Sequence, residues 1–240
     1  MRILTLFVRH GSAKYGEALA ELEAFRRRRV PSVAHETLII DNAPSASTTR
    51  EPGREVIQGS NRSWEFSAWD EGLAHVGRRV WDYDLVHLAT SAFGELYTRY
   101  IDRFDPGLLD QVAGRAAAVG HVDYYGEPVE AMGYTLQSWI RSSFLFLPPA
   151  ELATLGSLVT VSDREQFFSG DPDAPFRPDA PLSENYQRYI HNWLTGDGTG
   201  QGVTWHSRFR LDEKTLPHFE AKALAVLNEQ LLAVRLRRQG

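Results

Sequence analysis

RILTLFVRHG, residues 2–11, decides how the chain is read. Arg2 to Val8 is a compact apolar run of strand length, and it predicts a buried strand. The run ends in Arg9-His10-Gly11, a cation, an imidazole and a turn former in succession. In an open α/β sheet, ligands sit beyond the carboxyl ends of the strands. These residues are therefore candidate contacts as well as a strand end.

Working outward, Gly16 to Arg29 holds strong helix formers with apolar residues at helical spacing. HETLIIDNAPS gives a second buried strand, Thr37 to Ile40, stopped by Asp41, Asn42 and Pro44. A polar loop with Pro52 and Gly53 leads to a short third strand, Glu55 to Gln58. Ser67 to Val80 predicts a helix, and YDLVHLATSAF a fourth buried strand. Strands alternating with helices at this spacing predict a parallel α/β sheet.

The second half reads differently. GELYTRYIDRF and PGLLDQVAGR predict helices, and AAAVGHVDYYG a strand running into a loop. SWIRSSFLFLPP is a further strand, and Glu151 to Leu158 a short helix. Residues 169–182 hold four of the twelve prolines and predict a long surface excursion. Helices over Ser183 to Leu194 and Asp212 to Arg238 follow, with no internal repeat.

Composition narrows the function classes. The chain has 240 residues, enough for a substantial core in one large α/β domain or two small ones. A net charge of −5 argues against general nucleic-acid binding, which needs a basic stripe. With no cysteine there is no disulfide, thiolate metal site or Cys nucleophile, which is compatible with a cytoplasmic protein. No apolar run approaches the ~20 residues of a membrane span, and no signal peptide is read. The arginines of RLRRQG read as a solvated helix end, with peripheral contact to anionic lipid as the alternative. The eight histidines have no metal-ligand spacing, so no zinc site is expected.

Arg9-His10-Gly11 after an opening strand resembles the signature of the histidine phosphatases. That resemblance implies a phosphorylated His10, with Arg50 as second arginine, His121 as second histidine and WDEGL at 69–73 as acidic segment. The setting departs from that family. LIIDNAPS is a full strand where the family has a helix and a loop, and His121 lacks the small residues that open a helix beneath the phosphate.

A second resemblance uses more of the chain. The order strand, helix, strand ending in Asp41-Asn42, then Asn61, Glu65-Phe66-Ser67 and Gly72-Leu73, then YDLVHLATSAF, is similar to glycosyltransferases with the GT-A fold. The likeness, closest to family 2-like and rhamnan-synthesis-type bacterial enzymes, spans roughly residues 1–195. It implies a Rossmann-like, mostly parallel central sheet flanked by helices, with a helical C-terminus. It also implies a single domain over 1–240: a nucleotide-sugar-binding half (1–100), an acceptor-side half (101–211) and a C-terminal helix (212–240). The implied activity moves a sugar from a nucleotide-sugar donor to a glycan or lipid-linked acceptor in polysaccharide synthesis.

Under this reading Val8, Arg9 and His10 form a nucleotide-contacting loop. Asp41 and Asn42 meet base or ribose, with Asn61 and Glu65 following, and Thr90 and Ser91 line the donor phosphate or sugar. Asp41-Asn42 taken alone is a turn after a strand. Where the family has its metal-binding acidic pair, this chain has Leu88-Ala89-Thr90-Ser91-Ala92, poor ligands for Mg²⁺ or Mn²⁺. Metal-independent transfer, with Arg9 or His10 neutralising the leaving phosphate, is the expectation; a metal held elsewhere and a catalytically silent sugar-nucleotide-binding domain are the alternatives.

An inverting transfer needs a carboxylate base. The resemblance favours Glu184, at a helix start after the acceptor-side strand, with Asp163 and Asp123 behind it. Gln137, Ser138 and Trp139 would shape the acceptor site. His121 is a phosphate contact, a base or a core histidine.

Overall fold

The computed structural model describes residues 1–10, 15–43, 53–96, 98–196, 205 and 207–239. In chain order the elements are β1 (Arg2–Arg9), α1 (Ala18–Arg29), β2 (Ala34–Asp41), β3 (Glu55–Gln58), α2 (Trp64–Val76) and β4 (Leu85–Thr90). Three short helices follow, α3 (Phe93–Leu96), α4 (Thr98–Ile101) and α5 (Pro106–Val112). Then come β5 (Val119–Ala131), β6 (Tyr134–Leu147), α6 (Pro149–Leu155), α7 (Glu184–Thr195) and α8 (Leu216–Gln239).

The six strands form one sheet in the order β3-β2-β1-β4-β6-β5. The first four are parallel, and β6 runs antiparallel to β4. This is the mostly parallel, helix-flanked α/β architecture expected from the sequence, with the helical C-terminus. The order 3-2-1-4 is half of a doubly wound sheet. From β1 the chain moves outward to β2 and β3, then returns to the other side of β1 as β4. The topological switch point therefore lies between β1 and β4.

Local chemistry sets the element ends. The helix expected over 67–80 starts earlier, at Trp64, and stops at Val76, because Gly77 turns the backbone to φ 57°. The chain continues as a 3₁₀ turn, Gly77–Asp82. The loop expected after His121 is instead strand, so Asp123, Glu127 and Glu130 all lie within β5. Tyr125, Val129 and Ala131 alternate inward, a period masked in the sequence by Gly126, Glu127 and Pro128. Met132 and Gly133, both at positive φ, make the two-residue turn into β6.

The chain divides into two compact units. The first comprises Met1–Val122, Ile140–Val159 and Arg235–Gly240. One face of its sheet packs Ile3, Phe7 and Ile39 against Leu22 and Phe25 of α1. Phe25 lies edge-on to Phe104 and Phe144, and burying such a ring contributes about 2 kcal/mol. On the other face α2 comes close. A Cβ on Gly72 would lie 3.0 Å from Ile40 Cδ1, and Trp69 Nε1 donates to the Leu6 carbonyl at 3.1 Å.

A polar row interrupts the α1 face. Thr37, Thr5 and His87 stand side by side on β2, β1 and β4. Arg26 of α1 donates to Thr37 Oγ1 at 2.8 Å and to Thr5 Oγ1. The Thr5 hydroxyl also lies 3.3 Å from His87 Nδ1, within hydrogen-bond distance. The His87 ring stacks on that of Phe146, with centroids 4.0 Å apart.

The second unit comprises Asp123–Trp139 and Thr160–Val234. Its core gathers Tyr125, Trp139, Phe167, Tyr186, Phe219 and Leu227. Asn228 of α8 ties the segment at 160–161 into place. Its Oδ1 accepts from the Thr160 and Val161 amides at 2.6 and 2.9 Å, and its Nδ2 donates to the Val161 carbonyl at 2.8 Å.

Candidate functional site

Arg9 is the last residue of β1, and register pairs it with Asp41, the last residue of β2. Their side chains meet: Arg9 Nε donates to Asp41 Oδ2 at 2.9 Å. The guanidinium side chain is 17% exposed and the carboxylate 6%, so this ion pair sits within the strand ends rather than on open surface. The other carboxylate oxygen, Oδ1, accepts from the Ala43 amide at 2.9 Å. Asp41 is thus both the acid at the end of a strand and the acceptor of its own turn.

Asn42 follows, buried, with its amide nitrogen bound to the Arg9 carbonyl at 2.8 Å. Its side-chain Nδ2 donates to Asn61 Oδ1 at 3.2 Å and to the Trp64 carbonyl at 3.1 Å. Asn61 and Trp64 both hold positive φ, 55° and 54°. Asn tolerates that region, but for Trp it is strained. The bond from Asn42 fixes the strained turn that starts α2. A side chain at Gly59 would force Asn42 to move, because a Cβ would lie 2.1 Å from Asn42 Oδ1.

At the switch point, the Ser91 amide donates to the Val8 carbonyl at 2.8 Å, continuing the β1–β4 pairing one residue past β4. Val8 and Ser91 are buried, Thr90 is half-buried, and His10 is exposed just beyond β1. Glu65, in the first turn of α2, accepts from Ser142 Oγ at 2.9 Å. Of the nine residues expected to bind a donor, the structure joins Arg9 with Asp41 and Asn42 with Asn61, and sets Val8 beside Ser91. Gly11 and Arg50 lie outside the described residues.

The remaining expected residues fall elsewhere. His121 is on β5, its ring 4.7 Å from that of Tyr100. Two strands stand between β5 and β1, which separates His121 from the β1 end by roughly 14 Å of backbone. Histidines that share one phosphate do not start so far apart, so no feature of the sheet favours the phosphatase pairing. In the second unit, Glu184 is exposed in the first turn of α7. Asp163 caps a 3₁₀ turn through the Glu165 amide at 3.0 Å. Asp123 is half-buried within β5. Gln137 is exposed and Ser138 half-buried, while Trp139 is buried against Tyr125 with ring centroids 4.7 Å apart.

Sequence reasoning missed Gln58 and Gly59, because their importance depends on which residue of β2 stands opposite. Register puts Gln58 beside Asp41. It also missed Ser142, which lies 77 positions from Glu65.

Among the described residues, no three His, Asp or Glu side chains converge as a metal ion requires. The end of β4 offers the hydroxyls of Thr90 and Ser91, not carboxylates, so this position does not fit Mg²⁺ or Mn²⁺. No helix among the described residues is long and apolar enough to cross a membrane.

No family model matches the chain, and no curated protein matches it. Among solved structures, the mannosyltransferase PcManGT from Pyrobaculum calidifontis, in complex with GDP-Man and Mn²⁺, is similar at a TM-score of 0.38. Identity is 11%, over 98% of this chain and 73% of that chain. At that similarity the match transfers no residue and no activity.

Proposed function

We propose that this chain is a GT-A-like glycosyltransferase. It moves a sugar from a nucleotide-sugar donor to a glycan or lipid-linked acceptor of polysaccharide synthesis, working in the cytoplasm, with peripheral contact at a membrane face as the alternative. The observation that carries the reading is the Arg9–Asp41 pair at neighbouring strand ends, next to the switch point of a 3-2-1-4 sheet. That is where open α/β sheets bind nucleotides.

In the transfer, the bond between the sugar's anomeric carbon and the diphosphate oxygen breaks. A bond from an acceptor hydroxyl oxygen forms, and the hydroxyl proton passes to a carboxylate. Negative charge gathers on the departing nucleoside diphosphate. Arg9 answers that charge, as a planar, permanently protonated guanidinium suits phosphate oxygens. Asp41 accepts from base N–H or ribose hydroxyl groups, and Asn42 with Asn61 holds the adjoining turn. Thr90 and Ser91 line the donor's phosphate or sugar, and no step here is assigned to a metal. The base is proposed among Glu184, Asp123 and Asp163, with Gln137, Ser138 and Trp139 on the acceptor side.

A thermal-shift and calorimetric screen with UDP, GDP, CMP and dTDP, each with and without Mn²⁺, tests the reading. We expect at least one nucleotide to raise the melting temperature by several degrees, and Arg9→Ala to weaken that nucleotide's binding about tenfold or more. No response to any of the four would overturn the proposal. Nucleotide binding without transfer to any acceptor would identify a silent binding domain.

A further inference from the structure

Gln58 is the last residue of β3, a four-residue edge strand, and its side chain is exposed. An exposed glutamine normally samples several rotamers, and its amide is satisfied by water. Here Nε2 points into three backbone carbonyls: Asp41 at 2.7 Å, Ala43 at 3.0 Å and Gly59 at 3.2 Å. A primary amide has two N–H donors, so the two shorter bonds use them and the third carbonyl shares. The Asp41 carbonyl also accepts from the Gly59 amide at 2.9 Å.

Two of these carbonyls flank the turn that holds the Asp41 carboxylate. Holding the Asp41 and Ala43 carbonyls restrains the turn on both sides of the Ala43 N–H, the donor to Asp41 Oδ1. With Arg9 Nε on Oδ2, the carboxylate is then held at both oxygens. Loss of Gln58 would leave the Asp41 carbonyl still bonded to the Gly59 amide and the Ala43 carbonyl at the exposed end of the turn, so global stability has little stake in these bonds. What they determine is the direction of one carboxylate.

We infer that Gln58 is a positioning residue for Asp41, setting the carboxylate that receives the nucleoside part of the donor. The inference rests on the nucleotide reading above. Gln58→Met keeps the stem and deletes the donor. It should leave the melting temperature within about 2 °C, and weaken binding of whichever of UDP, GDP, CMP and dTDP the unaltered protein prefers by about tenfold. In an Asp41→Asn background the same change should cost less than twofold, because a residue acting through the carboxylate has nothing left to orient. Hydrogen exchange at the Ala43 amide, measured without ligand, should be faster in Gln58→Met.

Equal weakening in both backgrounds would overturn the role, as would unchanged protection of Ala43. Tight binding by Gln58→Met would remove this inference alone. Absence of binding of UDP, GDP, CMP and dTDP alike in the unaltered protein would remove the nucleotide reading and this role together.

Discussion

The carboxyl ends of β1 and β2 and the middle of the same two strands both bury polar side chains, and they do so in opposite ways. At the strand ends a cation meets an anion: Arg9 and Asp41 compensate each other, and backbone amides complete the acceptors. Halfway along, Arg26 is bonded to two threonine hydroxyls, next to imidazoles that can only add charge of the same sign. Burial, then Arg26, hold His35 down to about 4, and the same causes, with His35 behind them, push His87 well below its ordinary value. Glu23 is the anion that partly offsets Arg26, whose own value burial lowers to about 10. Charge is therefore balanced pairwise at the candidate site and kept in check behind the sheet by leaving the histidines neutral.

The largest effect should come from breaking the balanced pair. Arg9→Met leaves the Asp41 carboxylate buried without its cation, and removing one partner of a buried pair costs about 3 kcal/mol. Urea unfolding at pH 7 measures this; a loss under about 1 kcal/mol would show the pair behaving as a surface bridge. Acid should act on the other cluster. His35 and His87 bind protons more weakly folded than unfolded, so the unfolded state takes up more protons below about pH 6.5. Stability present at neutral pH is then lost as pH falls toward 4. Between pH 7 and 5.5, before most carboxylates titrate, urea unfolding should show stability falling as the two histidines take up protons in the unfolded state. Imidazole titration by NMR checks the premise, since a midpoint near 6.5 in the folded protein for either ring would refute it.

Gly59→Ala probes the strand-end cluster more gently. The new Cβ displaces the Asn42 amide and presses on Ile40, with an expected cost of about 2 kcal/mol. In an Asn42→Ala background the cost should shrink, since the principal clash is gone. Arg26→Met should have the smallest effect, about 1 kcal/mol at pH 7. It should also reduce the acid loss, because a cation that depresses both histidines has been removed.

Much of the first unit was legible in the sequence. RILTLFV, LIID and LVHLAT are short apolar runs bounded by turn formers, and their alternation with helices implied the parallel sheet. Arg9 and Asp41 could be placed at strand ends, but their contact follows from register, which no local pattern contains. Gln58 was read correctly as the end of a strand and still gave no hint of its partners. The long β5 was obscured because an edge strand tolerates Gly126 and Pro128, residues that elsewhere signal a loop. Trp64 in left-handed backbone had no signal at all, since the strain is sustained by Asn42, just beyond the end of β2 and 22 positions away.

The clasp made by Asn228 has a consequence for the order in which the protein acquires structure during synthesis. The amides of Thr160 and Val161 receive their acceptor only once residue 228 has left the ribosome, 67 positions after Val161. The parallel strands β1 to β4 have all their parallel pairings in hand by residue 90, and β4 gains its last neighbour, β6, by residue 147. At ordinary elongation rates of roughly 5–20 residues per second, β1 to β4 have several seconds to assemble before α8 can close the second unit. A nascent chain stalled before residue 228 would carry a formed parallel sheet followed by a segment still open to chaperones and proteases.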